Sequence, residues 1–294
     1  MPANPESPVT VMTARVLDVL DRGDEDGYAA LEAEIEQTGL AASLLETWAD
    51  CLSWTSIRGK DLTASGPDTP PGWKAAAARL ADTALLNDTA LTVASASNLV
   101  AELESRQLRA VLRCFAEAIT TVTGTGGGLE RWWLICQLHS TVDAPQDHLA
   151  WGGAAGCAVA AVAAGHPELG RTYVNRLILR DHKAFALALA LWMKVAVTVI
   201  GPQGEFIAIG FDSDGIPQAV VDTSIATDRE ARVAGLVQRA IDGARHDDMD
   251  AWNRAHEKIR RFSGKDRAIM GWILVRTIAH RLRQLQAEQE RNSR

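Results

Sequence analysis

Apolar residues recur along this chain at spacings of three and four, and short polar breaks interrupt them in a regular order. Such spacing gathers apolar side chains on one face of an α-helix. The first such stretch is 11–20, which Asp21-Arg22-Gly23-Asp24 stops. Asp24 or Asp26 is suited to cap the helix that follows, because a short carboxylate accepts the unpaired N–H groups of a first turn. That second helix runs through Tyr28, Leu31 and Ile35 to Gly39, a residue suited to the left-handed stop after a helix. A third stretch, 40–54, sets Leu44, Leu45, Trp48 and Leu52 on one face.

The same order of helix, tight polar turn, helix, short break and helix recurs three more times. Residues 74–86, 90–103 and 108–122 form the second set, with Asn87-Asp88 as its turn. Residues 148–164, 168–179 and 183–199 form the third, around Gly165-His166-Pro167, where proline suits a first helical turn. The fourth has a helix over 231–241, a turn over 242–247, a helix marked by Met249, Trp252 and Ile259, a break at Gly264 and a long helix over 265–286. Trp272 falls near the place that Trp48 holds in the first set. The turns near residues 23, 87, 166 and 245 are spaced 64, 79 and 79 apart, longer than the usual helical-pair repeats of about 34–47 residues. The Gly23-Asp24 turn between two amphipathic helices resembles tetratricopeptide-type helical hairpins over that one turn. The Trp, Leu-Gly and Tyr positions of that consensus are not reproduced, and no function is carried over.

Three stretches break the pattern. Residues 59–72, with Pro67, Pro70 and Pro71, read as an exposed loop. Residues 123–128, TGTGGG, read as a hinge. Residues 195–222 change period. Val195, Val197 and Val199 alternate into a Gly-Pro-Gln-Gly turn, 205–211 alternate into Asp212-Ser213-Asp214-Gly215, and 216–221 follow, which predicts a small antiparallel β meander. The expected architecture is mainly α: stacked helical units, either α-solenoid-like or a helical bundle, with the meander near 195–222. The expected division is 1–122 and 123–294, or one continuous domain.

Composition narrows the class. The chain has 294 residues, 47% hydrophobic and 23% charged, enough for a sizeable core without disulfides or metal. Alanine occurs 48 times, and 24 of the 30 basic residues are arginine, a bias pointing to a high-GC bacterial or phage genome. Residues 1–8 lack the basic and apolar regions of a secretory leader. Cys51, Cys114, Cys136 and Cys157 sit in apolar helical patterns with no C-x-x-C, which predicts buried free thiols and a cytoplasmic protein. The apolar runs 149–164 and 184–200, the second holding Lys194, fall short of the about 20 residues of a spanning helix. They are expected to be core helices.

Candidate chemistry is sparse. The TGTGGG loop lacks the Lys-Ser/Thr of a phosphate-binding loop. The Asp212 turn lacks the twelfth-position Glu of a calcium loop, since Thr223 stands there. His246, Asp250 and His256 are the best metal-like set, and a weak one, because acidic residues at a helix start also cap it. Cys157 with His148 or His166 lies on an apolar helix, where burial makes a thiol inert. No catalytic residue and no cofactor is expected. Gly152, Gly156, Ala160 and Ala164 form a small-residue stripe read as core packing against 185–192. Trp132 and Trp133 are adjacent, about 100° apart around a helix, so either a wide apolar face takes both or one stands at a partner surface. Residues 254–294 carry 11 basic and 4 acidic groups within a chain of net charge −7. Arg276, His280 and Arg283 form a basic stripe there.

The expected role is a non-enzymatic scaffold or adaptor that binds another protein or itself, using Trp132, Trp133, Arg276, His280 and Arg283. The alternatives are nucleic-acid contact through the basic C-terminal helix and an enzyme whose site has no recognised motif. No membrane span is expected.

Overall fold

Capping residues set the helix ends. Gly23 and Gly39 adopt φ of 61° and 68°, the left-handed conformation that releases an L-residue from a helix only at a steric cost that glycine escapes. The carboxylates of Asp24, Asp88 and Asp248 each accept a backbone N–H three residues on, from Gly27, Leu91 and Ala251, at 2.9, 3.0 and 2.9 Å. Three of the four sets thus start their second helix with the same aspartate cap.

The structure is a computed structural model that describes residues 7–55, 57–63, 71–86, 88–124, 146–180, 182–200, 209–211, 217–219 and 228–292. It is mainly helical, a helical-bundle arrangement. The elements are α1 (Pro8–Arg22), α2 (Glu25–Thr38), α3 (Ala41–Ser53), the short α4 (Gly59–Leu62), α5 (Trp73–Ala84), α6 (Thr89–Glu102) and α7 (Ser105–Thr123). Then come α8 (Gln146–Ala163), α9 (Pro167–Arg180), α10 (His182–Ile200), β1 (Ile209–Phe211), β2 (Pro217–Ala219), α11 (Asp228–Arg245), α12 (Met249–Arg260) and α13 (Gly264–Asn292).

Three expectations are corrected. The β meander is not seen. Its first strand, expected at 195–199, is the end of α10, because Trp192, Met193, Ala196 and Ile200 continue one buried helical stripe and that burial outweighs the β preference of the valines. Beyond it, the described residues hold a three-residue antiparallel pairing of β1 with β2, Gly210 opposite Gln218. The loop expected at 59–72 begins with α4. Gly59 lies so close to α5 that an added Cβ would meet the Ala78 carbonyl oxygen at 2.5 Å, and its N–H donates to Asp82 at 3.2 Å. The turn expected at 242–247 is helical through Arg245. Gly243 is there because α12 passes over it, and a Cβ would stand 2.7 Å from the Trp252 nitrogen.

The contacts divide the chain into two compact units, Met1–Ala144 and Pro145–Arg294. The sequence placed the division at 122/123; the intervening 125–145 lie outside the described residues. In the first unit α3 packs against α5, α6 and α7, and α1 packs against α2 and α7. One core gathers Leu17, Leu44, Trp48, Trp73, Val111 and Phe115. Trp48 is fully buried, and its indole N–H donates to the Thr13 hydroxyl at 2.9 Å, which donates onward to the Val9 carbonyl at 2.7 Å. An indole removes about 150–250 Å² from water, about 4–6 kcal/mol of gross transfer free energy.

In the second unit α8 packs against α9, α10 and α13, α10 against α13, and α11 against α12 and α13. Trp192 does here what Trp48 does in the first unit. It lies in the third helix of its set, is buried, and donates to the first helix of that set, at the Ala155 carbonyl, 3.0 Å away. Trp272 does not fill that place. It is half-buried, with the guanidinium groups of Arg171 and Arg276 at 5.3 and 5.4 Å from its ring centroid. The small-residue stripe of α8 is only partly core: Ala160 is buried, while Gly152 is exposed.

Candidate functional site: an apolar groove with a basic rim

In the first unit the third helix of one set, α3, packs directly on the second helix of the other, α6. In the second unit the corresponding helices, α10 and α12, stand apart, and a groove of 660 Å³ runs between them. Met193 and Val197 form one wall from α10, Trp252 and Ile259 the other from α12, and Met270 of α13 closes the base. The groove exists because α12 is held from one side only. Gly243 lets it sit tightly on α11, and no close packing draws it onto α10.

The charged groups of the lining share one sign. Lys194, Arg260 and Arg267 line the groove, His256 stacks on Trp252 with ring centroids 5.6 Å apart, and none of the described lining residues is acidic. Beside the groove, the outward face of α10 carries Leu187 and Leu191, 43% and 39% exposed. The segment Lys183–Ile200 is long and apolar enough to cross a membrane by length and composition, yet 44% of it is buried within the protein. Phe185, Ala188, Trp192 and Ala196 are among the residues that supply that burial.

The residues anticipated from sequence fall elsewhere. Trp132 and Trp133 lie outside the described residues, as does most of the TGTGGG stretch and Cys136. Arg276 is 1% exposed, over the Trp272 ring. Arg283 donates to the Val162 carbonyl at 2.5 Å, in the last turn of α8. Arg281 donates to the Val199 carbonyl at 3.2 Å, in the last turn of α10. Each guanidinium thus meets the negative end of a helix, where carbonyls lack intrahelical partners. His280 is half-buried beside Gln284, 3.0 Å away. Burial, then the charges of Arg283 and Arg281, hold its imidazole below the ordinary range.

His246, Asp250 and His256 are not brought together. His246 faces the Asp242 carbonyl at 2.9 Å and lines a separate hollow, while His256 lines the groove. Among the described residues no group of three or more His, Cys, Asp or Glu is placed to hold a metal ion. Cys51, Cys114 and Cys157 are buried free thiols. Burial pushes the Cys114 thiol up to about 12, and its sulfur contacts the Leu62 carbonyl at 3.2 Å.

The chain matches no protein-family model, no curated protein and no solved structure. The site is therefore read from its own chemistry. Sequence reasoning passed over the groove, although one signal pointed to it. The α10 stretch is apolar on more than one face, with Leu187 and Leu191 outside the stripe of Trp192 and Ala196. A helix apolar on several faces needs cover on each.

Proposed function

We propose that this protein is a non-enzymatic helical scaffold or adaptor, cytoplasmic, whose four helix triplets are repeated units and which binds a protein partner or a second copy of itself. The observation that carries this reading is the pair Leu187 and Leu191. They are one helical turn apart and exposed on the outward face of the most apolar described helix. These two exposed leucines on one face are what supports an interaction surface there. Nucleic-acid contact through the C-terminal helix is less favoured, because the Arg276 and Arg283 guanidinium groups are turned to Trp272 and to the end of α8, where they are not offered to phosphate.

The test is native mass spectrometry of the wild-type protein and of the L187E/L191E variant, both purified at low salt. The reading expects a homo-oligomer or a stoichiometric polypeptide partner in the wild type and its loss in the variant. A wild-type protein that is monomeric and carries no polypeptide contradicts it, as does an assembly the variant leaves unchanged.

A further inference from the structure

We infer that the groove between α10 and α12 is a binding site for a single-chain amphiphile with an anionic head, of the long-chain carboxylate class. This rests on the groove alone and is independent of the partner-binding reading.

Size comes first. The groove lining runs from Ala186 to Thr198 along α10, about 18 Å at 1.5 Å per residue. Its volume of 660 Å³ lies within the range of small-molecule sites, about 300–1,000 Å³. A groove of that length and volume admits a polymethylene chain.

Charge comes second. Met193, Val197, Trp252 and Ile259 offer the hydrocarbon walls, and Lys194, Arg260 and Arg267 supply three cations to the same lining. The protein as a whole carries a net charge of −7, so this concentration of positive groups runs against the composition. A second copy docked groove to groove about a two-fold axis would set these cations against themselves. A carboxylate head meets them with charge-assisted hydrogen bonds, while burial of the chain contributes about 0.8 kcal/mol per methylene.

The test uses dodecanoate below its micelle concentration, titrated calorimetrically into the full chain, with dodecanol and dodecyltrimethylammonium as head-group controls. The expected result is saturable 1:1 binding of dodecanoate, at least tenfold tighter than dodecanol, with no binding of the cation. K194E/R260E weakens dodecanoate binding at least tenfold. Both residues are exposed, so the helical circular dichroism stays unchanged. A190W, which fills the groove from α10 and leaves the rim charges in place, abolishes binding, so the proposal does not depend on one variant folding. Equal binding of all three amphiphiles overturns the inference. So does dodecanoate binding that neither variant alters, or attachment to anionic lipid vesicles with no dodecanoate bound. None of these outcomes bears on the Leu187–Leu191 assembly, which is read by mass.

Discussion

The two units are built from the same parts in the same order, and they close differently. Each contains two helix triplets. In each, the third helices of the triplets pack on one another, and the first helix of each triplet packs on the third helix of the other. In each, a third-helix tryptophan donates to the first helix of its own triplet, Trp48 to Thr13 and Trp192 to Ala155. The difference lies in the second helices: in the second unit α9 packs on α13 more closely than α2 does on α7, and α12 does not pack closely on α10. In the first unit α6 meets α3 and the space is filled, with Ala96 and Leu99 buried from α6. In the second unit α12 stays on α11, and its apolar Trp252 and Ile259 face a groove. A shared scaffold thus fills the space beside α3, where α6 is docked, and leaves a groove beside α10, where α12 is not.

Breaking the shared part has the largest expected effect. Trp48→Ala and Trp192→Ala each leave a large cavity, and each costs about 3–5 kcal/mol. Hydrogen-exchange mass spectrometry locates the damage, with W48A accelerating exchange in α1–α7 and W192A in α8–α13. A smaller effect tests why α12 sits where it does. Gly243→Ala forces a methyl into the Trp252 backbone and costs about 1–3 kcal/mol in thermal unfolding. Gly235→Ala in the same helix α11 meets nothing nearer than the Arg239 side chain at 3.9 Å, and the gain in helix propensity stabilises by about 0.5–1 kcal/mol.

Acid sharpens the comparison next. In the second unit burial lowers the His280 pKa in the folded state. Its neutral form is therefore stabilising above the ordinary histidine value of about 6.5, and that stability is lost as pH falls through the lower folded value. Asp266 adds to this further down. Arg229 and the Ser263 hydroxyl hold its carboxyl well below the usual carboxylate range, so its contribution is present above about 3.9 and is lost on stronger acidification. In the first unit Arg113, Arg15 and Arg109 lower Glu25, Glu34 and Glu36, while burial raises Glu32 and Glu46. The two sets oppose each other. Melting followed from pH 7 to pH 5 is expected to weaken α8–α13 first, and H280F is expected to flatten that limb. The smallest effect belongs to the Arg15–Glu34 pair, 2.6 Å apart and more than 40% exposed on both sides. Glu34→Gln is expected to leave the melting temperature nearly unchanged, and less altered again at high salt.

Much of the fold was legible because it is written locally. Asp24, Asp88 and Asp248 announce helix starts by their chemistry, and Gly39 announces a stop. The failures concern what only packing decides. Val195, Val197 and Val199 alternate like a strand, yet Ala196 and Ile200 are needed by the core of a helix. Gly243 looks like a turn residue, yet it serves a close helix crossing. Trp272 occupies the register of Trp48, while Trp192 does its work. The site was the least legible. The separation of α10 and α12 depends on how helices half a unit apart in sequence are held, and no local pattern records a distance. The basic residues of α13 drew attention by composition, and Arg281 and Arg283 turned out to meet the ends of α10 and α8. Of the groove's cations, Lys194 stands alone in an apolar run, and Arg260 sits beside Lys258 and Arg261 in the basic stretch.

The most direct measurement is amide hydrogen exchange across residues 89–102 and 249–260, with and without dodecanoate. If α6 is docked on α3 while α12 stands off α10, residues 249–260 exchange at least tenfold faster than 89–102 in the free protein. Dodecanoate then slows 249–260 and leaves 89–102 unchanged. Equal protection of the two helices, unaltered by the ligand, would contradict both the open groove and the role assigned to it.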